Sequence, residues 1–230
     1  MSILQNVVVI THQDCMKHLT GPGHPERPER IDVLLEMLDN DLQDTDIIDA
    51  PMGTEAQILL AHPQRYIDRI KEAVPPSGIS FELDADTPLS PFSFEAAKLA
   101  VGAACKAVDM IAGGETDAAF CAMRPPGHHA EPEKAMGFCL FANAYIAARW
   151  AQEKHGFKKV AIVDFDVHHG NGTAAMIYAQ KRDDILFTSS HQFPFWPNTG
   201  DPDVDDDAGG LILDVPLPAG THSDAFRMAY

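Results

Sequence analysis

Cysteine and positive charge are both scarce in this chain. The four cysteines, Cys15, Cys105, Cys121 and Cys139, are widely spaced and form no C-x-x-C pair. Such spacing fits reduced thiols in a cytoplasmic protein better than a disulfide framework. Lys and Arg number 17 against 34 Asp and Glu, a formal net charge of −17. That balance argues against bulk nucleic-acid or anionic-membrane binding and leans slightly towards cationic ligands, although an ordinary acidic soluble protein has the same balance. No apolar run is long enough to span a bilayer. The start, Met1-Ser2-Ile3-Leu4-Gln5-Asn6, lacks the basic region and apolar run of a signal peptide. No internal repeat, low-complexity tract or interdomain linker is visible, so residues 1–230 read as one domain.

What is present is enough apolar sequence, 45% of 230 residues, for one substantial core. Asn6 to His12 is a Val-rich run that reads as a buried strand. Gly21–Arg30 is a proline-rich loop. From Pro28 onwards, Ile31, Leu34, Leu35 and Leu38 repeat at helical spacing. Thr54 and Gln57 resemble a capping box opening a helix near Ala56–Ala61. Gln64–Ala73 reads as a further helix, stopped by Pro75-Pro76. After a long loop, Ser93 starts a helix to about Ala112. Its small residues (Ala96, Ala97, Ala100, Gly102, Ala103, Ala104) suggest close packing on a sheet. Strands are expected at Asp117–Met123, Val160–Asp166, Ile185–Ser190 and Leu211–Val215, with helices at Asn143–His155 and near Thr173–Gln180. Strands alternating with helices, with central strands apolar on both faces, predict a three-layer α/β/α domain around a mainly parallel sheet. In such sheets the sites lie at the C-terminal strand ends.

Three such ends carry chemistry. Arg124-Pro-Pro-Gly-His128-His129-Ala130 puts two histidines in a rigid loop, where they could act as general base and general acid. For His-His alone, two exposed loop histidines remain the simpler reading. Asp164-Phe-Asp166-Val-His168-His169-Gly-Asn171-Gly follows an apolar strand. There Asp164, Asp166 and His168, spaced by two, could converge on one side as zinc ligands. Two charged aspartates at a buried strand end are costly without a cation or hydrogen-bond partners. The alternative is an Asp pair capping the next loop and helix. Finally, Ser189-Ser190-His191 with Phe195 and Trp196 offers hydroxyls and aromatics that could wall a narrow apolar channel, or simply pack.

Together these stretches strongly resemble the histone deacetylase family, which includes bacterial acetylpolyamine and acetoin-utilisation relatives. The resemblance covers essentially the whole chain. His24-Pro-Glu-Arg-Pro-Glu-Arg30 resembles the family's first active-site loop. Arg124–Ala130 with Gly137-Phe-Cys139 resembles its central loop, and Val163–Gly172 its metal loop. The resemblance implies a zinc-dependent hydrolase of acetyl-lysine or acetylpolyamine amides. Asp166 and His168 would then be two of three zinc ligands. His128 and His129 would activate the bound water and protonate the leaving amine, with Asp164 orienting His128. Asn171, where some relatives have aspartate, resembles the class II-like branch and should leave His129 holding its proton less tightly. Gly137, Phe138 and, less directly, Trp196 would wall the acyl channel, and Asp86 would sit at its rim. A structural potassium is also implied, held by Asp164, Asp166, His168 and Ser189, with Ser190 contributing backbone oxygen.

The chain departs from the family pattern in two respects. The family's third zinc ligand, in a segment resembling Gly-Phe-Asp-Ala-His, and its later oxyanion-binding Tyr or His are not found in these 230 residues, and Tyr230 matches no catalytic tyrosine motif. The expectation is a catalytic domain truncated at the C-terminus. Such a chain should bind zinc weakly, hydrolyse poorly or not at all, and expose a sheet edge that favours oligomers. Ala142 stands where relatives often carry asparagine, and Asn143 follows it. A non-catalytic binder of acyl-lysine or polyamine is the main competing class. An arginase-type ureohydrolase is disfavoured, because His169-Gly170 follows His168 where a metal-bridging aspartate is needed.

Overall fold

The computed structural model describes residues 6–41, 45–201 and 211–229. Among these residues six parallel strands form two three-stranded sheets, the first out of sequence order and the second in it. In the first, β1 (Val7–Thr11) lies between β2 (Asp46–Asp49) and β3 (Ala118–Ala122). In the second, β5 (Ile185–Gln192) lies between β4 (Val160–Asp164) and β6 (Ile212–Leu217). The helices are α1 (Glu29–Asp41), α2 (Glu55–Ile58), α3 (Gln64–Ala73), α4 (Ser93–Ala112), α5 (Asn143–His155), α6 (Asn171–Gln180) and α7 (Ser223–Ala229). No helix among the described residues is long and apolar enough to cross a membrane.

Side-chain alternation explains the layering. On β1, Val8 and Ile10 pack against Ala103, Ala107 and Met110 of α4, while Val9 meets Leu38 of α1 on the other face. In the second sheet, Ile185, Phe187 and Ile212 join the largest core with Tyr145 and Ile146 of α5 and Met176 and Ile177 of α6. Their neighbours Leu186 and Leu213, with Val163 on β4, face outwards and are exposed. The expectation of strands apolar on both faces is therefore met in sequence, but the described residues bury only one face of this sheet.

Local signals held where the chemistry was strong. The Thr54–Gln57 capping box is present in both directions, and α3, α4 and α5 run over the expected residues. Gly156, at φ +73°, ends α5. Three readings need correction. The Val160 strand stops at Asp164 rather than Asp166. Helix α6 begins two residues early, at Asn171, because the Gly172 and Thr173 amides cap the His128 carbonyl (2.9 and 3.2 Å). The four-residue edge strand β2 and the 3-10 turn Gln13–Lys17 were not anticipated.

Candidate active site

The loop after β3 is fixed before any histidine is reached. Arg124 is fully buried, and its guanidinium forks onto both carboxylate oxygens of Glu26 (2.8 and 2.6 Å). It also donates to the carbonyls of Cys15 and His18, each at 2.7 Å. Glu26 belongs to the Gly21–Arg30 loop, so one ion pair ties the two loops together. The Pro125 to Ala130 segment then lies against the start of α6. A Cβ at Gly172 would come 2.6 Å from the Ala130 amide nitrogen, so only glycine allows this approach.

His128 and His129 lie with ring centroids 3.8 Å apart, tilted by 40°, but have different supports. His128 Nδ1 is 2.9 Å from Asp164 Oδ2 at the end of β4. Burial works against its protonation, yet the hydrogen bond and charge of Asp164, with Asp166 beyond, prevail and raise its pKa. His129 Nδ1 is 2.8 Å from Asn171 Oδ1. Burial, with the neighbouring His128 charge, lowers the His129 pKa to about 4, only partly offset by the Asn171 hydrogen bond. The amide of Asn171 is itself oriented, because its Nδ2 donates to Glu131 Oε1 at 2.9 Å. Its oxygen therefore faces His129, the Nδ1 proton is donated to it, and Nε2 is left with a free lone pair.

Asp166 and His168 lie in the loop beyond β4, both partly exposed. His168 Nδ1 and Asp166 Oδ1 are 3.0 Å apart, and Asp166 Oδ1 is 3.9 Å from His128 Nε2. Two ligands on a tetrahedral zinc, with bonds of about 2.0 Å, sit about 3.3 Å apart, so this oxygen–nitrogen pair suits a shared cation. Two side chains fall short of the three that a catalytic zinc takes. Among the described residues no group of three or more His, Cys, Asp or Glu side chains is arranged to hold a metal ion. Asp164 and Ser189 are register partners on β4 and β5, and Ser189 and Ser190 are buried.

A pocket of about 450 Å³ leads to this group, lined among others by Arg30, Asp86, His129, Phe138, His168 and Trp196. Trp196 meets His129 edge-on at 4.7 Å, and Phe195 stacks on His168 at 4.9 Å. Phe138 holds a left-handed φ of +71° and is met edge-on by His24 at 4.9 Å. Gly137 has φ +55°, and a Cβ there would come 2.6 Å from Trp196. Asp86 accepts a hydrogen bond from the Gly137 amide (3.3 Å) while also lining the pocket. A second, open cleft of about 550 Å³ lies beside β4, and His128, Asp164 and Asp166 line it too.

Nearly all the candidate residues thus gather at one place. Glu131, the Arg124–Glu26 pair and the contact of His24 with Phe138 were not read from sequence. Only the adjacency of Glu131 to the His-His-Ala run could have hinted at its role. Tyr230 lies outside the described residues.

The chain belongs to the histone deacetylase family. The histone deacetylase domain matches residues 24–230. The chain is 41% identical over 240 residues to a histone deacetylase-like amidohydrolase of Pseudomonas aeruginosa, covering 94% of this chain and 61% of that protein. It is 33% identical to a probable deacetylase of Archaeoglobus fulgidus, covering 96% and 61% respectively. Among solved structures it resembles the HDA15 HD domain, with a TM-score of 0.85, 32% identity, and coverage of 94% of this chain and 62% of that one. The chain therefore spans about three-fifths of the length of these relatives.

Proposed function

We propose that this chain carries the acid–base and partial metal machinery of a zinc-dependent amidohydrolase that removes acetyl or other acyl groups from lysine side chains or polyamines. One observation carries the reading: two adjacent histidines at the end of one pocket have oppositely shifted pKa values, His128 raised by Asp164 and His129 lowered to about 4 by burial. Paired titratable groups driven apart in this way divide the roles of acid and base between them. His129, neutral with its Nε2 lone pair free, takes the proton from the attacking water. His128, whose pKa is raised by Asp164, supplies a proton to the departing amine.

Asp166 and His168 would hold the zinc. When bound, zinc polarises the acyl carbonyl and lowers the pKa of a water. Asp164, Ser189 and the backbone at Ser190 would hold a structural potassium. Phe138, Gly137 and Trp196 would confine the acyl arm, and Asp86 would meet a cationic or amide-bearing end at the rim. The acidic surface favours amine substrates over anionic ones.

Zinc-dependent acetate release from an acetyl-lysine peptide and from N-acetylputrescine tests this proposal. With only two converging ligands among the described residues, the expected outcome is weak zinc binding and slow release, abolished in D166A, H168A and H129A. Release that survives D166A or H168A would contradict it. Because only two donors converge among the described residues, a second reading has support, namely a protein that binds acylated amines without hydrolysing them. Stoichiometric ligand binding with no acetate released would favour that reading.

A further inference from the structure

The second histidine of the His168-His169 pair has no role in the chemistry above, and its surroundings are unusual. The two neighbours point to opposite sides of the loop. His168 stacks on Phe195 at the pocket, whereas His169 turns inwards and is buried. Its Nδ1 lies 2.7 Å from Thr199 Oγ1. Its Nε2 lies 3.1 Å from Asp214 Oδ1 on β6, a close contact not aligned as a hydrogen bond, and neither of these two buried atoms has a hydrogen-bond partner among the described residues.

The hydrogen bond between Nδ1 and the Thr199 hydroxyl holds the ring in one orientation, with Nε2 turned to the Asp214 carboxylate. Thr199 is the exit of a tight turn. The Asn198 amide donates to the Phe195 carbonyl at 2.7 Å, with Asn198 at φ +64°. Trp196 sits in that turn. Immediately beyond, Gly200 has φ +79°, and a Cβ there would come 2.7 Å from the His169 ring and 2.6 Å from that of His191. The Gly200 carbonyl is 3.1 Å from His191 Nε2. The turn that places two aromatic side chains on the pocket is thus fastened at its exit to a buried His–Asp pair.

We infer that His169, backed by Asp214, is a positioning residue that anchors the 195–199 turn through Thr199 and so sets where Trp196 and Phe195 stand over the pocket. Its bearing on substrate selection rests on the hydrolase reading, but the anchoring itself does not. An ordinary structural role for a buried His–Asp contact would affect the whole fold alike. Anchoring of this turn would affect Trp196 alone.

The chain has only two tryptophans, Trp150 and Trp196. Labelling with 5-fluorotryptophan therefore gives two fluorine NMR resonances, assigned with W150F. T199V and D214N should shift and broaden the Trp196 resonance and leave Trp150 in place, while T199S, which keeps the hydroxyl, should restore the wild-type position. In the W150F background, acrylamide quenching of Trp196 should roughly double in T199V, because the ring is only 37% exposed when the turn is fastened. An unmoved Trp196 resonance in T199V and D214N, or movement of both resonances together in T199V, would overturn the inference. Neither readout uses zinc or turnover, so a failed deacetylase assay leaves the result intact, and a failure here leaves the deacetylase reading intact.

Discussion

His129 and its supports show how much a single substitution in a shared motif changes. Asparagine at 171 was expected from the sequence to leave His129 less basic, and its pKa is lowered to about 4, but burial is the main cause and the Asn171 hydrogen bond works against the fall. The carboxylate has not vanished from the site either. It stands one residue further away as Glu131, reaching His129 through the Asn171 amide. In the metal-free chain, N171D should raise the His129 pKa, read from the imidazole carbon resonances during an NMR titration. E131Q should change it much less, since the charge there acts through an intervening amide and falls off with distance. Equal effects from the two variants would contradict this arrangement. His62 makes a separate prediction about stability. It is buried with Nδ1 3.1 Å from the Pro132 carbonyl, while Nε2 accepts from the Ala142 amide. Burial lowers its pKa to about 4. The unfolded chain binds that proton at higher pH than the folded one does. Stability from this group is therefore full above about 6.5 and is lost as pH falls towards 4, at up to about 1.4 kcal/mol per pH unit. Urea unfolding of H62Q should show a shallower loss than wild type across that interval.

Among the elements, helix α4 and the loop after β3 show what pattern can and cannot reveal. The run of alanines along α4 announced close packing, and the sheet side of it was legible. That Gly102 admits a different neighbour was not. A Cβ there would overlap the Pro51 carbonyl and come 2.7 Å from the Gly53 amide nitrogen, and Gly53 donates to the Lys98 carbonyl at 2.9 Å. Alanine in place of glycine gains about 1 kcal/mol in helix propensity. Forcing backbone apart in a packed site costs about 1–3 kcal/mol, so the clash should win. G102A is expected to melt several degrees below wild type in calorimetry, and a higher melting temperature would contradict the packing described. The Arg124–Glu26 pair is a long-range contact between two proline-rich loops, and no periodicity encodes such a pairing. R124M leaves Glu26 buried without its guanidinium, which should cost about 3–5 kcal/mol in urea unfolding, less in the E26Q R124M double variant than the two single losses summed.

For the whole molecule, the order of strands and helices was legible because strand and helix periods alternate cleanly, while the shape of the sheet was not. The β4 to β6 half has helices on one face only among the described residues, and it exposes Val163, Leu186 and Leu213, with Phe165 75% exposed in the loop that follows. Apolar surface of this kind beside strand edges promotes association. Sedimentation should find this chain associating with rising concentration, and F165K should weaken that association. The same gathering of distant segments brings the first loop, the β3 loop, the β4 loop and the aromatic turn to one pocket, with Asp166 and His168 as the two proposed zinc donors. The most direct measurement is titration of the metal-free chain with zinc by calorimetry, beside D166A and H168A. The account predicts weak binding of one equivalent that both substitutions abolish. Zinc binding unchanged in both variants would contradict it.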